Sequence, residues 1–209
     1  MPSVKSTQTA ILLLKAAAFA ADKHASQRRK DRVRTPYINH PLAVARVLAE
    51  EGGVKDPEIL AAALLHDTLE DTDTSLRELQ KAFGKRVASL VTEVTDDKTL
   101  PKRVRKRLQI HHAPHKSRAA ALIKVADKIC NLRDLRRSPP KAWSRDRRHR
   151  YCTWSVAVVR GLLLAGNRLR GVFRREADDL LARQRIFDTG TRARARSPSL
   201  SEAKKIVAR

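Results

Sequence analysis

Four side chains that can bind metals or transfer protons lie within six residues, in the string His66-Asp67-Thr68-Leu69-Glu70-Asp71. Adjacent histidine and aspartate side chains can offer an imidazole nitrogen and a carboxylate oxygen to one cation. Residues four apart share a face of a helix, so His66 would lie beside Glu70 and Asp67 beside Asp71. The spacing therefore predicts a metal site with acid–base groups one helical turn away.

The first two of these residues end an apolar, alanine-rich segment, where a charged carboxylate is costly to bury unless it is paired or binds a metal. Two other residues could share the site. His40 stands at the predicted start of a helix, and Asp127 lies in the core-like segment 122–128. Two imidazoles and two carboxylates would form a mixed nitrogen and oxygen donor set, which suits Mn, Fe or Zn, and the carboxylates favour manganese.

Spacing alone leaves two interpretations of Asp127 open. It could complete the metal site, or it could form an ordinary ion pair with Lys124 or Lys128. Glu70 and Asp71 could likewise do no more than cap the segment that follows them. The types and spacing of the residues therefore indicate a metal site without excluding a structural role for these charges.

The elements that must position these residues are all predicted to be helices. Predicted N-caps are Asp56, Ser75, Ser117 and Ser144, and Gly84 is predicted to end a helix. The predicted helices span 7–24, 40–50, 56–67, 75–83, 87–94, 101–112, 117–132, 144–165 and 167–187. Since no segment alternates in the manner of a strand, the prediction is an all-α bundle of about eight to ten helices.

Composition is consistent with one helical domain and a basic tail. The 209 residues are 42% hydrophobic but only 4% aromatic, and alanine and leucine dominate the apolar set, which favours packed helices. We predict one domain over residues 1–187, followed by a disordered, arginine-rich tail over 188–209. The apolar run near the N-terminus is too short to span a bilayer, so no membrane partner is expected.

The chain is strongly basic, with 45 Lys and Arg against 22 Asp and Glu and a net charge of +23. Such a field attracts phosphorylated small molecules, nucleic acids or acidic surfaces, although an arginine-rich genome would produce the same balance. The two cysteines, Cys130 and Cys152, have neither a disulfide nor a metal-site pattern, which fits a reducing cytoplasm. The oligomeric state is left open.

Several strings together resemble a known family. They are 29–31 (RKD), 35–41 (TPYINHP), 64–72 (LLHDTLEDT), 94–98 (VTDDK) and 126–128 (ADK) with Asn131 and Leu132. In this order they are similar to the hydrolase domain of RelA/SpoT proteins, a branch of the HD phosphohydrolases, and above all to the stand-alone small alarmone hydrolases, the Mesh-type metazoan SpoT homologues. The resemblance covers about residues 8–185.

The resemblance implies an HD-domain fold and a manganese-dependent enzyme with one ion per chain, in which other divalent metals could substitute. It implies cleavage of guanosine 3′,5′-bis(diphosphate), or the corresponding pentaphosphate, to GDP or GTP and pyrophosphate. By position it makes Glu70 and Asp71 the catalytic pair. The implied metal ligands are His40, His66, Asp67 and Asp127, and the implied substrate contacts are Arg29, Lys30, Lys98, Asn131 and Tyr151.

One loop departs from the family pattern. Members usually carry a glycine between the positions of Lys30 and Thr35, whereas this chain reads Asp-Arg-Val-Arg at 31–34. Glycine adopts positive φ at little cost, but valine and arginine do so poorly. The sequence therefore leaves the shape of this loop, and the base selectivity that it would influence, open.

Two other functions compete with alarmone hydrolysis. The first is a phosphatase of another phosphorylated nucleotide, such as NADPH, acting through the same metal site. The second is a nucleic-acid-binding protein that uses the basic segment 102–107 and the tail. The complete set of ligand and catalytic residues argues against the second.

Overall fold

The computed structural model describes the backbone of residues 4–195 and the side chains of residue 4 and residues 6–182, and this part of the chain consists of helices joined by loops, without a β-strand. The helices are α1 (Val4–Lys23), α2 (Asn39–Arg46), α3 (Pro57–Leu65), α4 (Thr68–Asp71), α5 (Leu76–Val94), α6 (Lys102–His112), α7 (Arg118–Arg137), α8 (Arg145–Gly161) and α9 (Gly166–Ala195). A π-helical turn (Val47–Glu51) extends α2, and 3₁₀ turns (Ala113–His115 and Leu163–Ala165) follow α6 and α8. The all-α prediction is confirmed.

Helix α7 lies at the centre of the bundle. It packs against α2, α3, α5, α8 and α9, and its buried residues surround the helix instead of forming one stripe. A helix that is apolar on most sides is stable only inside a core. Asp127 is therefore carried into the interior by the helix that the others enclose.

Local capping explains most of the helix starts. The side chains of Asp56, Ser75, Ser117 and Ser144 each accept a hydrogen bond from a backbone N–H in the first turn, as predicted. Gly84 leaves the helical region at φ 82° and kinks α5, which matches its predicted role as a helix end.

The third helix ends earlier than predicted, at Leu65 instead of residue 67. Thr68 Oγ1 donates to the Leu65 carbonyl at 2.7 Å, and His66 Nδ1 bonds the Ala63 carbonyl at 2.8 Å. These side chains satisfy carbonyls that the next helical turn would otherwise use. His66 and Asp67 consequently lie in a turn between α3 and α4.

Helix α9 runs to Ala195, past the predicted domain end at residue 187. The remaining part of the predicted tail, 196–209, lies outside the described residues, so the domain boundary stays a prediction. No helix in the described part of the chain is long and apolar enough to cross a membrane.

The loop before α2 is closed like a small hairpin. Arg29 N donates to the Thr35 carbonyl at 2.8 Å, and an isolated bridge pairs Arg28 with Pro36. Asp31 accepts hydrogen bonds from the Thr35 backbone N–H and hydroxyl, at 3.0 and 2.6 Å. Within this closed loop Arg34 adopts φ 54°, the left-handed conformation that glycine would favour. The loop therefore takes a glycine-like turn without a glycine.

We expect Arg34→Gly to stabilise the protein by about 0.5–1 kcal/mol, because glycine removes the Cβ strain of a left-handed residue while adding some unfolded-state entropy. Urea unfolding would measure the change. Arg32→Gly is the matched control. It removes the same side chain from the same loop at a residue without positive φ, and it is expected to lower stability. Equal effects of the two substitutions would contradict the strain at Arg34.

Candidate metal and nucleotide site

Three predicted ligands meet at one point inside the bundle. The donor atoms of His40, His66 and Asp67 all lie within 4.8 Å of one another. His66 Nε2 is 3.1 Å and His40 Nε2 is 3.9 Å from Asp67 Oδ2. The start of α2 and the α3–α4 turn thus bring two imidazoles and a carboxylate together, although they are distant in sequence.

The orientation of the His66 ring suits a metal ligand. Its Nδ1 donates to the Ala63 carbonyl, which can only accept, so Nε2 is the nitrogen that faces Asp67 and is left to bind a cation. That Nε2 is buried without a hydrogen-bond partner among the described residues. An unpartnered buried nitrogen beside a carboxylate is what a cation would satisfy, so these residues fit a divalent metal.

The electrostatics agree with this assignment. Burial lowers the pKa of His66, but the charges of Asp67 and then Asp127 outweigh it and raise the pKa to about 9. Burial raises the pKa of Asp67, yet the neighbouring His66 and His40 hold it well below its usual range. A field that retains a proton on a buried imidazole also attracts a metal cation.

Asp127 joins the group through His40. Its Oδ1 lies 3.2 Å from His40 Nε2 and accepts a hydrogen bond from Asn131 Nδ2 at 2.5 Å, while its Oδ2 accepts one from Lys128 at 2.9 Å. Of the two lysines considered from the sequence, Lys128 is the partner, because Lys124 Nζ lies 3.5 Å from Asp96 Oδ1 instead. Asp127 therefore forms the ion pair with Lys128 and contacts the predicted ligand His40, but it lies outside the group of donor atoms that are all within 4.8 Å of one another.

Tyr37 is a residue that the sequence analysis did not single out. Its hydroxyl donates to Asp67 Oδ2 at 2.7 Å, and it also lies 3.4 Å from Asp71 Oδ2. Burial, together with the charge of Asp67, raises the pKa of the phenol far above its usual range, so Tyr37 stays a donor. Its place in the string 35–41, three residues before His40, was the available signal.

Glu70 and Asp71 are adjacent but enter different compartments. Glu70 lines a small cavity of about 160 Å³ with the predicted ligands, which we call the inner hollow (His40, His66, Asp67, Glu70 and Asp127 among its lining). Asp71 instead lines a wider cavity of about 680 Å³, which we call the outer cleft (Arg29, Lys30, Asp71, Lys98 and Tyr151 among its lining). The predicted catalytic pair therefore spans the two compartments.

Basic and main-chain groups hold both carboxylates. Glu70 Oε1 lies 3.2 Å from Arg105 Nη1, and Glu70 Oε2 accepts a bond from the Asp96 N–H at 3.2 Å. Burial, and then the nearby charge of Asp96, raise the pKa of Glu70. Asp71 pairs with Lys98. Arg105 was predicted only as part of a basic helix, and nothing in that helix's composition showed that this residue turns inward.

All five predicted substrate residues line the outer cleft: Arg29, Lys30, Lys98, Asn131 and Tyr151. Arg29 is held by Asp134 at 2.5 Å and by Asn131 Oδ1 at 3.3 Å, with its guanidinium 5.6 Å from the centre of the Tyr37 ring. The residues that line both compartments are Arg29, Tyr37, His40 and Asn131. The cleft therefore opens directly onto the inner hollow.

An aromatic wall borders the same cleft, and of its members only Tyr151 was predicted from the sequence. The Tyr151 ring centre lies 5.6 Å from Trp143 and 5.4 Å from Trp154. The Lys106 ammonium is 4.5 Å from the centre of the Trp154 ring, and its pKa is lowered by burial and by neighbouring cations. The helix predicted as a nucleic-acid surface thus directs part of its charge towards this aromatic wall.

Comparisons with known proteins agree with this geometry. A profile of the family described as "HD domain" matches residues 16–154. The chain is 57% identical over 162 residues to a Xenopus tropicalis protein named guanosine-3′,5′-bis(diphosphate) 3′-pyrophosphohydrolase MESH1, which covers 78% of this chain and 90% of that protein. It is 59% identical over 150 residues to the human protein of the same name, covering 72% and 84%.

A solved structure is also similar. It belongs to a protein described as a metazoan orthologue of SpoT that hydrolyses ppGpp and plays a role in starvation responses. The two superpose with a TM-score of 0.77 and 42% sequence identity, over 88% of this chain and 97% of the solved one. The similarity thus extends over nearly the whole helical bundle.

We expect Tyr37→Phe to weaken divalent-metal affinity by about 10–100-fold, because it removes the hydrogen bond that orients Asp67. Titration calorimetry with Mn²⁺ would measure it. Tyr151→Phe, at the only other tyrosine, removes a hydroxyl of the outer cleft that makes no hydrogen bond to Asp67, and it should leave metal affinity unchanged. Equal metal affinities of Tyr37→Phe and the unsubstituted protein would contradict this role.

Proposed function

This chain belongs to the HD-domain family, and we propose that it hydrolyses guanosine 3′,5′-bis(diphosphate), or its pentaphosphate counterpart, to GDP or GTP and pyrophosphate. One observation carries the proposal: the outer cleft collects every predicted nucleotide contact and shares four residues with the inner hollow. The high identity to proteins named for this activity supports it. The protein is accordingly an enzyme, a metal-dependent 3′-pyrophosphohydrolase.

The divalent metal expected of an HD domain would be held by His40, His66 and Asp67, with Asp127 as the fourth ligand. Two carboxylates in the set favour manganese over softer ions. When bound, such an ion lowers the pKa of water and neutralises charge on a phosphoryl oxygen. The hydrogen bonds from Tyr37 to Asp67 and from Asn131 to Asp127 would keep the ligand carboxylates oriented.

Glu70 is the residue that we assign to proton transfer. In the reaction the oxygen of water bonds to phosphorus, the bond from phosphorus to the ribose 3′ oxygen breaks, and a proton ends on that oxygen. Glu70 lines the inner hollow, and burial has raised its pKa, which makes it a better proton acceptor. Asp71, held by Lys98 in the outer cleft, would orient groups on the substrate side.

The cations of the outer cleft would bind the phosphates and the base. Arg29 offers a planar guanidinium that can stack on a purine or bind phosphate, and Asp134 and Asn131 hold it in place. Lys30 and Lys98 would supply point charges to phosphate oxygens. Asn131 reaches the cleft beside the ligand Asp127, where a ribose hydroxyl could be recognised.

The second candidate substrate is a phosphorylated dinucleotide such as NADPH. The aromatic wall at Trp143 and Tyr151 favours it, because it offers a second stacking surface in the same cleft. Comparing the turnover of both substrates on one metal-loaded sample separates the two candidates.

Incubating the protein with guanosine tetraphosphate and Mn²⁺ should release GDP and pyrophosphate, and chelation of the metal should stop the release. Asp67→Ala should abolish both metal binding and turnover, since it removes a ligand. Asp146→Ala, which removes an exposed aspartate paired with Arg150, is the control and should retain both. Manganese-dependent turnover that survives Asp67→Ala would overturn the mechanism.

The rate should also depend on pH through Glu70. A carboxyl with a raised pKa is protonated at a higher pH than usual, so kcat/KM should fall on the acid side above the ordinary glutamate value of about 4.3. Asp96→Asn removes the nearest negative charge and should move this limb to lower pH, whereas Asp146→Asn should not. An acid limb that stays in place in Asp96→Asn would contradict the assignment.

A further inference from the structure

A third cavity shares part of its lining with the inner hollow and none of it with the outer cleft. We call it the rear hollow: it has a volume of about 200 Å³ and is lined in part by Asp96, Arg105, Gln109, Lys124, Val158 and Leu162. Helices α6, α7 and α8 and the end of α5 form its walls. A water molecule needs only about 10–15 Å³ of such volume, so several fit.

One layer of polar side chains separates the rear hollow from the inner hollow. Asp96, Gln109 and Lys124 line both cavities. Gln109 Nε2 donates to the Asp96 carboxylate, and Lys124 Nζ lies 3.5 Å from it. Since the separating groups are hydrogen-bonding and not apolar, water can exchange partners across them.

Glu70 contacts this layer from the other side. Its carboxylate accepts the Asp96 N–H at 3.2 Å and lies 3.2 Å from Arg105, which lines the rear hollow. Arg105 Nε and Gln109 Oε1 are both buried without a hydrogen-bond partner in the described part of the chain. Buried polar atoms are nearly always satisfied by protein or by water, so these two atoms indicate a hydrated cavity.

If the proposed function holds, each turnover consumes one water, and the nucleotide covers the outer cleft while it reacts. The inner hollow shares one set of residues with that opening and a different set, the Asp96 layer, with the rear hollow. We propose that the rear hollow stores the hydrolytic water and delivers it to Glu70 through the layer formed by Asp96, Gln109 and Lys124.

Narrowing the rear hollow tests this proposal, and two adjacent valines on α8 offer a matched pair. Val158 is 2% exposed and lines the rear hollow; Val159 is 4% exposed and lines a separate groove between α8 and α9. Val158→Phe should lower kcat by about tenfold or more, with KM for guanosine tetraphosphate and Mn²⁺ affinity unchanged. Val159→Phe should keep the unsubstituted kcat.

If the rear hollow delivers water, kcat of the narrowed variant should also depend on the activity of water, which altered packing alone would not cause. In Val158→Phe, kcat should fall more steeply than in the unsubstituted protein as sucrose lowers the activity of water. Thermal unfolding checks that each variant is folded. Should Val158→Phe fail to fold, Leu108→Phe narrows the same cavity from α6 and gives the same test.

Three results would overturn the proposal: an unchanged kcat in the narrowed variant, an equal loss in Val159→Phe, or a loss accompanied by weaker metal or substrate binding. The proposed function fails in a different way, namely if the unsubstituted, manganese-loaded protein does not cleave guanosine tetraphosphate. The two failures are therefore distinguishable in one set of assays.

Discussion

The arrangement of the charged groups in this structure depends on two carboxylates that the helical bundle encloses. The side chains of Asp67 and Asp127 are only 17% and 14% exposed, and a charge removed from water is costly unless opposite charges and hydrogen bonds replace the solvent. The two ligand histidines, the Tyr37 hydroxyl and the Lys128 ammonium supply these partners. The same groups define a cation site, so stability of the core and function have one electrostatic origin.

The acids around Asp67 and Asp127 also need basic partners, and these partners account for part of the basic composition. Three ion pairs are Asp127 with Lys128 at 2.9 Å, Glu70 with Arg105 at 3.2 Å, and Asp96 with Lys124 at 3.5 Å. Their basic members belong to α6, which by composition alone resembles a polyanion-binding surface, and to the central helix α7. Here these cations pair with acids around the candidate metal site.

Glu70 and Asp71 are neighbours in the single helical turn α4, but their side chains have different surroundings. Glu70 faces the inner hollow and is held by groups that also border the rear hollow, whereas Asp71 faces the outer cleft. One carboxylate thereby lies beside the candidate metal ligands, and the other lies among the predicted nucleotide contacts. In the proposed mechanism this arrangement would separate the entry of substrate from the entry of water.

The sequence by itself determined the all-α class and the caps at residues such as Asp56 and Ser117, because these follow from local hydrogen bonding and helical periodicity. His66 and Asp67 lie together because they are neighbours in the chain. Family motifs predicted that His40 and Asp127 would join them. Only the tertiary structure decided that Arg105 reaches Glu70, that Tyr37 reaches Asp67 and that a cavity lies behind them. Those contacts join segments distant in the chain, and their geometry depends on how the helices pack, which no local pattern encodes.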